Sequence, residues 1–448
     1  MESHKQIVTR FAPSPTGAAH AGSYRSAMFA WLYARHNNGK FILRIEDTDT
    51  ARNKEGSDTQ IIESLTWLGI DYNELYYQSH NLGRHKEIID TLIASGNAYI
   101  SNEPAKDGSG NKNIIRFRNP NKSVTVHDLI RGDVTVDTTD LGDFVIARTI
   151  EEPVFHLANV IDDHDEGVTH VIRAEEHLAN TPRQIVIFEA LGWEIPTYAH
   201  LPLVLGPDKL KLSKRRGAPA MLEYREQGYL ADAVFNCVTL VGWNPGTEQE
   251  IFSRDELIKT FDLERVQKAG AMFGEEKLKW FNREYMKKLS YEDQEEQITK
   301  FLPENIKSLP NFSIAKLHAL VPTIMERIEK FNDVTTMAEK GELNYFFETP
   351  TISIEKINFK NTDSTETKKH LEAMAKILDI IPETDWNIDP IKNAIMAYAD
   401  TLPKRGAALH PLRYLLSGAD NSPDPFTIAS IIGKQETFLR IHNALNLI

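Results

Sequence analysis

Two short segments of this chain carry residues able to handle a nucleoside triphosphate. Residues 13–22 read PSPTGAAHAG and residues 211–214 read KLSK. In the first, His20 and Gly22 stand at a turn between a short apolar run and a helical pattern. Glycine lets a backbone approach a phosphate closely, and a histidine can donate a hydrogen bond to a phosphate oxygen as charge builds up there. In the second, Lys209, Lys211, Lys214, Arg215 and Arg216 crowd together after the turn at Gly206, Pro207 and Asp208. Lysine is a compact point charge that can follow a departing pyrophosphate. Each segment alone has a plain alternative, a turn-capping histidine or a solvated basic loop. Both together, in this order, point to a site that handles the phosphates of ATP.

The elements that would position these residues are legible in the apolar pattern. Residues 6–12 (QIVTRFA) read as a strand that Pro13, Pro15 and Gly17 must end. A helix then begins near Gly22, with Ala27, Met28, Trp31 and Leu32 facing inward and Arg25 and Arg35 able to stay wet. Residues 41–47 (FILRIED) read as a second strand, so the unit is a right-handed parallel crossover. In such sheets ligands lie beyond the carboxyl ends of the strands, where a helix N-terminus offers N–H groups to a polyphosphate. HVIRAE and residues 197–205 (TYAHLPLVL) are further strands. Between them Thr181 is expected as an N-cap, with Pro182 opening the helix RQIVIFEALGW.

A carboxylate is best read by a guanidinium, which can hold it with two parallel hydrogen bonds, and an ammonium group needs an acidic acceptor. Arg10 ends the first strand, Arg173 lies in the later strand VIRAE, and Glu46 ends the second strand. They are the candidates for holding an amino acid. The acidic run Asp162, Asp163, His164, Asp165 and Glu166 matches no standard metal spacing and reads as an exposed turn.

The expected fold class is α/β: a Rossmann-like parallel sheet catalytic domain, split by an inserted α+β domain and followed by an all-helical C-terminal half. Residues 1–75 and 159–210 form the sheet domain. The insertion spans 76–158, with a polar Gly- and Asn-rich stretch at 102–113 and strand-like alternation from 114 to 149. Residues 211–290 carry the basic loop and helices, and 291–448 are helical. There Ile314, Leu317, Leu320, Val321, Ile324, Ile328 and Phe331 define one apolar face, and Leu371, Met374, Ile377, Leu378 and Ile381 another.

With 448 residues and 41% hydrophobic content the chain can build two to four globular domains. No apolar run approaches membrane-spanning length, and the N-terminus lacks the apolar core of a secretory signal. A single cysteine, Cys237, excludes an intramolecular disulfide framework and suits a reducing, cytoplasmic setting. The net charge of −13 argues against a nucleic-acid partner, but phosphate binding needs only local positive potential. Lys277, Lys279, Arg283, Lys287 and Lys288 supply one cluster, Lys404 and Arg405 another.

RFAPSPTG (10–17), RIEDTD (44–49), HLANVIDDH (156–164), VIRAEEH (171–177) and KLSKR (211–215) together resemble the bacterial-type glutamyl-tRNA synthetases, a class I family. Ser23 stands in the last position of that class's HxGH-type signature. The resemblance implies glutamate activation through a glutamyl-adenylate and transfer to tRNA(Glu), with ATP as substrate and Mg²⁺ on its phosphates. It implies that His20, Gly22, Lys211 and Lys214 serve catalysis. Arg10, Ala12, Ser14, Glu46, Phe155, Asn159 and Arg173 line the glutamate site, with Phe155 where the family has tyrosine. Thr16, Leu203, Val204 and Arg215 join the ATP site, and Glu176, His177 and Arg413 face the tRNA. Residues 76–158 become an acceptor-end-binding domain, 211–290 a stem-contact domain and 291–448 an anticodon-binding domain, in a monomer. The insertion lacks cysteine, so the zinc held by cysteines in some relatives is not expected. A nucleotidyltransferase making a metabolite adenylate without RNA is the competing reading from another class.

Overall fold

The computed structural model describes residues 5–104, 110–360 and 362–448. By its internal contacts the chain divides into two compact units, Met1–Tyr285 and Met286–Ile448.

The first unit is organised by a seven-stranded sheet. In chain order its strands are β1 (Val8–Phe11), β2 (Lys40–Ile45), β3 (Glu74–Tyr77), β4 (Ser123–Asp128), β5 (Gly132–Asp137), β6 (His170–Ala174) and β7 (Thr197–Leu201). Their spatial order is β3-β2-β1-β6-β7-β4-β5. All neighbours run parallel except β4 and β5, which form an antiparallel hairpin. Strand order therefore reverses between β1 and β6, the crevice where a doubly wound sheet takes its ligand. Arg10, Arg173 and His200 point from β1, β6 and β7 into this region, and Arg173 pairs in register with His200.

The helix Ala21–His36 crosses between β1 and β2 and buries Ala27, Met28, Trp31 and Leu32 as its spacing requires. Arg35 is partly wet and pairs with Asp71 at 2.9 Å. Arg25 is not wet: it is 2% exposed, donates to the Pro202 carbonyl at 2.7 Å and lies over the Phe29 ring. Its carbon stem lies in the helix's buried face, and the carbonyl takes part of the charge that water would otherwise hold. The segment 197–205 is likewise two strands rather than one, because Pro202 cannot donate to a ladder.

Hairpin β4–β5 extends the large sheet through β7, whereas strands 98–104, 111–117, 144–149 and 152–153 make a separate four-stranded sheet. The polar stretch 102–113 supplies strand ends here. Asn102 and Asn113 bond across the ladder at 2.8 Å, since side chains on a wet sheet face can be polar. Residues 105–109 of that stretch lie outside the described residues. Cys237 is buried in the helix Ala231–Thr239, whose Phe235 packs edge-on against Trp31.

The second unit is helical throughout its described residues. Leu317, Leu320, Val321, Ile324, Ile328 and Phe331 are buried together, as are Leu371, Met374, Leu378 and Ile381. Ile314 departs from its expected face because it opens its helix and is 60% exposed. Arg440 is nearly buried and closes carbonyls of Tyr345 and Glu348 at 2.8 and 3.0 Å. Among the described residues of either unit, no helix is long and apolar enough to cross a membrane.

Candidate active site

The loop after β1 is fixed by the strand beside it. The Glu46 amide donates to the Pro13 carbonyl at 3.0 Å and the Lys54 amide to that of Pro15 at 2.9 Å. Gly17 has φ of 129°, a conformation that side-chain-bearing residues avoid. The chain then turns into the helix Ala21–His36 with His20 as its N-cap, and His20 Nδ1 accepts from the Gly22 amide at 3.1 Å. Gly22 is required by that histidine: a Cβ there would lie 2.9 Å from His20 Cε1. The spacing His-x-Gly is thus a packing relation between one ring and one bare backbone.

Burial lowers the His20 pKa, and Lys211 and Lys214 lower it further against an opposing effect of Glu176. A neutral imidazole that accepts at Nδ1 carries its proton on Nε2, and so can donate to a phosphate oxygen. His20, Gly22, Leu203, Val204, Glu176 and Lys211 line one cleft of ≈ 90 Å³. Lys211 forms an ion pair with Glu176 across it, and Arg216 pairs with Asp208 at 2.9 Å. Lys214 is exposed in the short turn 214–216. The Arg215 side chain lies outside what the structure describes. Thr16 and Ser14 are exposed on the loop and are not part of this cleft's lining, and Ala12 is half-buried.

Beside the cleft, Arg10, Glu46, Asn159 and Arg173 belong to one buried hydrogen-bonded network. Arg10 Nε donates to Asp163 at 3.1 Å. Arg44, wholly buried, donates to Asp163 at 2.8 Å and Glu166 at 2.6 Å and reaches Glu46 at 3.4 Å. Asn159 donates to Glu46 at 2.8 Å, Gln184 to Asn159 at 3.0 Å, and Arg173 to Gln184 at 2.7 Å. Arg173 also donates to Thr181 Oγ1 at 2.9 Å, while its Nη1 is buried with no hydrogen-bond partner. Burial lowers the Arg173 pKa to about 10, which still leaves the group charged at neutral pH. Burial raises that of Glu46, opposed by Arg44 and Arg10.

The acidic run 162–166 is a correction. Most of it is helical and inward rather than an exposed turn: the helix Phe155–Asp165 buries Asp162 and Asp163. Asn159, Asp162, Asp163 and Glu166 recur at the spacing of one helix face, and that face meets Arg44, Arg10 and His85, which pairs with Asp162 at 2.7 Å. Thr181 also departs from expectation. It is the first residue of its helix, with Asn180 as N-cap, because its hydroxyl is used by Arg173. Phe155 opens the helix Phe155–Asp165, its ring 5.4 Å from the His177 ring. Burial lowers the pKa of His177 and of His156 to about 4. In the helical unit, Arg413 is half-buried and donates to the Asp420 carbonyl at 3.0 Å.

Four carboxylates, Glu46, Asp162, Asp163 and Glu166, meet three guanidinium groups, Arg10, Arg44 and Arg173, in the network, and the excess shows at Glu166. Burial, together with Asp163 and Asp162 and against Arg44, pushes its pKa from 4.5 to about 7. The folded chain therefore keeps a proton that the unfolded chain releases above pH 4.5. This group's contribution to stability should fall as pH rises from 4.5 to about 7 and stay level beyond. Urea unfolding of wild type and Glu166→Gln across pH 5 to 8 should give a stability difference that shifts in the variant's favour over that window. A pH-independent difference would contradict the assignment.

Residues 6–107 and 100–280 match the family described as tRNA synthetases class I (E and Q), catalytic domain, and residues 274–445 match the anticodon binding domain family. Glutamate–tRNA ligase 1 of Caldanaerobacter subterraneus is 36% identical, covering 99% of this chain and 98% of its own. Glutamate–tRNA ligase 1 of Coxiella burnetii is 38% identical, over 99% of both chains. The crystal structure of a glutamate tRNA ligase from Elizabethkingia meningosepticum, in complex with its amino acid, superposes with a TM-score of 0.88 at 32% identity, over 99% of each chain. The glutamate-tRNA synthetase structure from Elizabethkingia anophelis gives 0.85 at 32% identity, over 99% of this chain and 100% of that one. With the nucleotide corner, the charged pocket and the helical unit all present, this chain belongs to the glutamate–tRNA ligases of class I.

Proposed function

We propose that the chain attaches L-glutamate to tRNA(Glu) in two steps, consuming ATP and releasing pyrophosphate and AMP. In the first, the α-carboxylate of glutamate attacks the α-phosphorus of ATP, and glutamyl-adenylate forms as pyrophosphate leaves. In the second, a ribose hydroxyl at the tRNA 3′ end attacks the mixed anhydride and AMP departs. Neither step needs covalent help from the protein, so positioning and charge stabilisation carry the acceleration.

Arg173 Nη1 takes the side-chain carboxylate of glutamate, Arg10 adds positive potential, and Glu46, oriented by Asn159, accepts the α-ammonium group. Ala12, Ser14 and Phe155 border the same pocket. His20 donates from Nε2 to a phosphate oxygen, Gly22 gives that oxygen room, and Lys211 and Lys214 balance the departing charge. Thr16, Leu203, Val204 and Arg215 hold the rest of the nucleotide. Mg²⁺ arrives with the ATP phosphates; the cleft lining offers it one carboxylate, Glu176, already paired with Lys211. Glu176, His177 and Arg413 contact tRNA, and the enzyme works as a cytoplasmic monomer.

The observation that best supports this reading is the state of Arg173. The other nitrogens of its guanidinium are held by His200, Thr181 and Gln184, and Nη1 is buried and unpartnered, a costly arrangement that a bound carboxylate would relieve. Aminoacylation of purified tRNA(Glu) and tRNA(Gln) with labelled glutamate and glutamine tests the proposal. Charging of tRNA(Glu) by glutamate, with glutamate-dependent ATP–pyrophosphate exchange, is expected. Exchange driven by another acid with no RNA requirement would overturn it.

A further inference from the structure

His200 and Asp128 lie outside every motif in the sequence, yet both side chains are fully buried behind Arg173. Asp128 sits at the end of β4, where the chain turns toward β5. Its Oδ1 accepts the Ile130 and Arg131 amides at 2.9 and 2.8 Å. Its Oδ2 accepts the His200 amide at 3.0 Å and meets His200 Nδ1 at 2.6 Å. All four acceptor directions of this carboxylate are thereby used. Burial works against its charge, but the bonds from His200 and from the Arg131 and Ile130 amides outweigh that and keep its pKa below the usual range.

An ionised Asp128 requires the proton of His200 to sit on Nδ1. Burial lowers the pKa of His200, so the ring is neutral and Nε2 presents a lone pair. Arg173 Nε lies 3.2 Å from that nitrogen and donates to it. Thr181 Oγ1 lies 3.1 Å from the same nitrogen and accepts from Arg173 Nη2. Below, the Tyr198 ring stacks with His200 at 12° and carries the Arg173 guanidinium 5.4 Å from its centre. The opposite tautomer would point an N–H at the guanidinium and expel it.

We infer that the Asp128–His200 pair is a positioning device for glutamate selection: it fixes one histidine tautomer, and that tautomer holds Arg173 with Nη1 directed at the substrate's side-chain carboxylate. The inference rests on the reading of Arg173 given above. It also makes the β4–β5 turn part of the amino-acid pocket, because the Ile130 and Arg131 amides hold the carboxylate that starts the relay. Neither residue touches substrate, so the effect belongs in glutamate binding and discrimination rather than in nucleotide chemistry.

Steady-state ATP–pyrophosphate exchange and aminoacylation with the full chain test this through Asp128→Asn, His200→Leu and His200→Gln. Asp128→Asn and His200→Leu should raise KM for glutamate on the order of 10- to 100-fold and narrow the preference for glutamate over glutamine. KM for ATP should stay within about twofold, and kcat should move less than KM for glutamate. His200→Gln, which keeps an acceptor for Arg173 Nε, should recover part of the glutamate affinity lost in His200→Leu. An equal rise in KM for both substrates, or unchanged glutamate affinity in these variants, overturns the inference. Arg173→Gln separates the two levels. If it raises KM for glutamate while Asp128→Asn and His200→Leu do not, the relay fails and the pocket stands. If Arg173→Gln leaves KM for glutamate unchanged, both fall.

Discussion

Lys214→Ala should lower kcat for glutamate-dependent pyrophosphate exchange by about 10²–10³-fold, the cost of removing one preorganised group from developing phosphate charge. Lys211, which pairs with Glu176 across the cleft, stays in place in the variant, so the loss reads the Lys214 charge alone. Binding of tRNA should be retained, since the substitution lies in an exposed turn far in sequence from the helical unit. A second readout ties the lysine to the histidine. Lys214 is one of the charges that lower the His20 pKa, so its removal should raise that pKa and move the acid limb of the rate profile to higher pH. Exchange kinetics from pH 5.5 to 8.5 measure both effects. A kcat within threefold of wild type would remove Lys214 from the chemistry.

Arg44→Met should cost about 3–5 kcal/mol, the effect of deleting one partner of a buried ionic network. Arg44 is the cation on which Asp163, Glu166 and Glu46 converge, and all three carboxylates are buried. Burial opposes the arginine's own charge, but those groups and Asp162 hold it firmly protonated. Methionine fills much of the volume and returns none of the charge. Urea unfolding of the full chain should show the shift in the transition of Met1–Tyr285, with that of Met286–Ile448 unmoved. Adding Glu166→Gln should recover part of the loss by removing one of the stranded carboxylates. A shift below about 1 kcal/mol would mean that water reaches the network and screens it.

The parts of this site that were legible in the sequence were those at strand ends. Arg10, Glu46 and Arg173 stand out because a parallel sheet presents its ligands there, and the structure joins them with Asn159 in one network. The groups that hold them were not legible. Helix Phe155–Asp165 buries Leu157, Val160 and Ile161 as well as Asn159, Asp162 and Asp163, so it has no wet face against which an inward one could show. The i, i+3, i+4, i+7 spacing of 159, 162, 163 and 166 was the available signal, concealed by the usual reading of an acidic run as surface. His200 was hidden for another reason. Its partner Asp128 lies 72 residues away on a hairpin whose alternation reveals two strands but not the edge they join, because pairing is set by nonlocal packing. The burial of Arg25 is hidden in the same way, because the acceptor that makes it tolerable, the Pro202 carbonyl, lies 177 residues away.

Cys237 gives the molecule a built-in clock. It is the one cysteine in 448 residues, 4% exposed, with its thiol pushed up to about 12 by burial. A thiol so shielded, with Lys277 and Glu250 as its charged neighbours, reacts with a disulfide reagent only when the packing around the helix Ala231–Thr239 opens. Labelling in water should therefore be slow, accelerate with sub-denaturing urea, and slow further when ATP and glutamate are bound. Because the helical unit carries no thiol, its own openings are silent, and the labelling rate times the breathing of the catalytic unit alone.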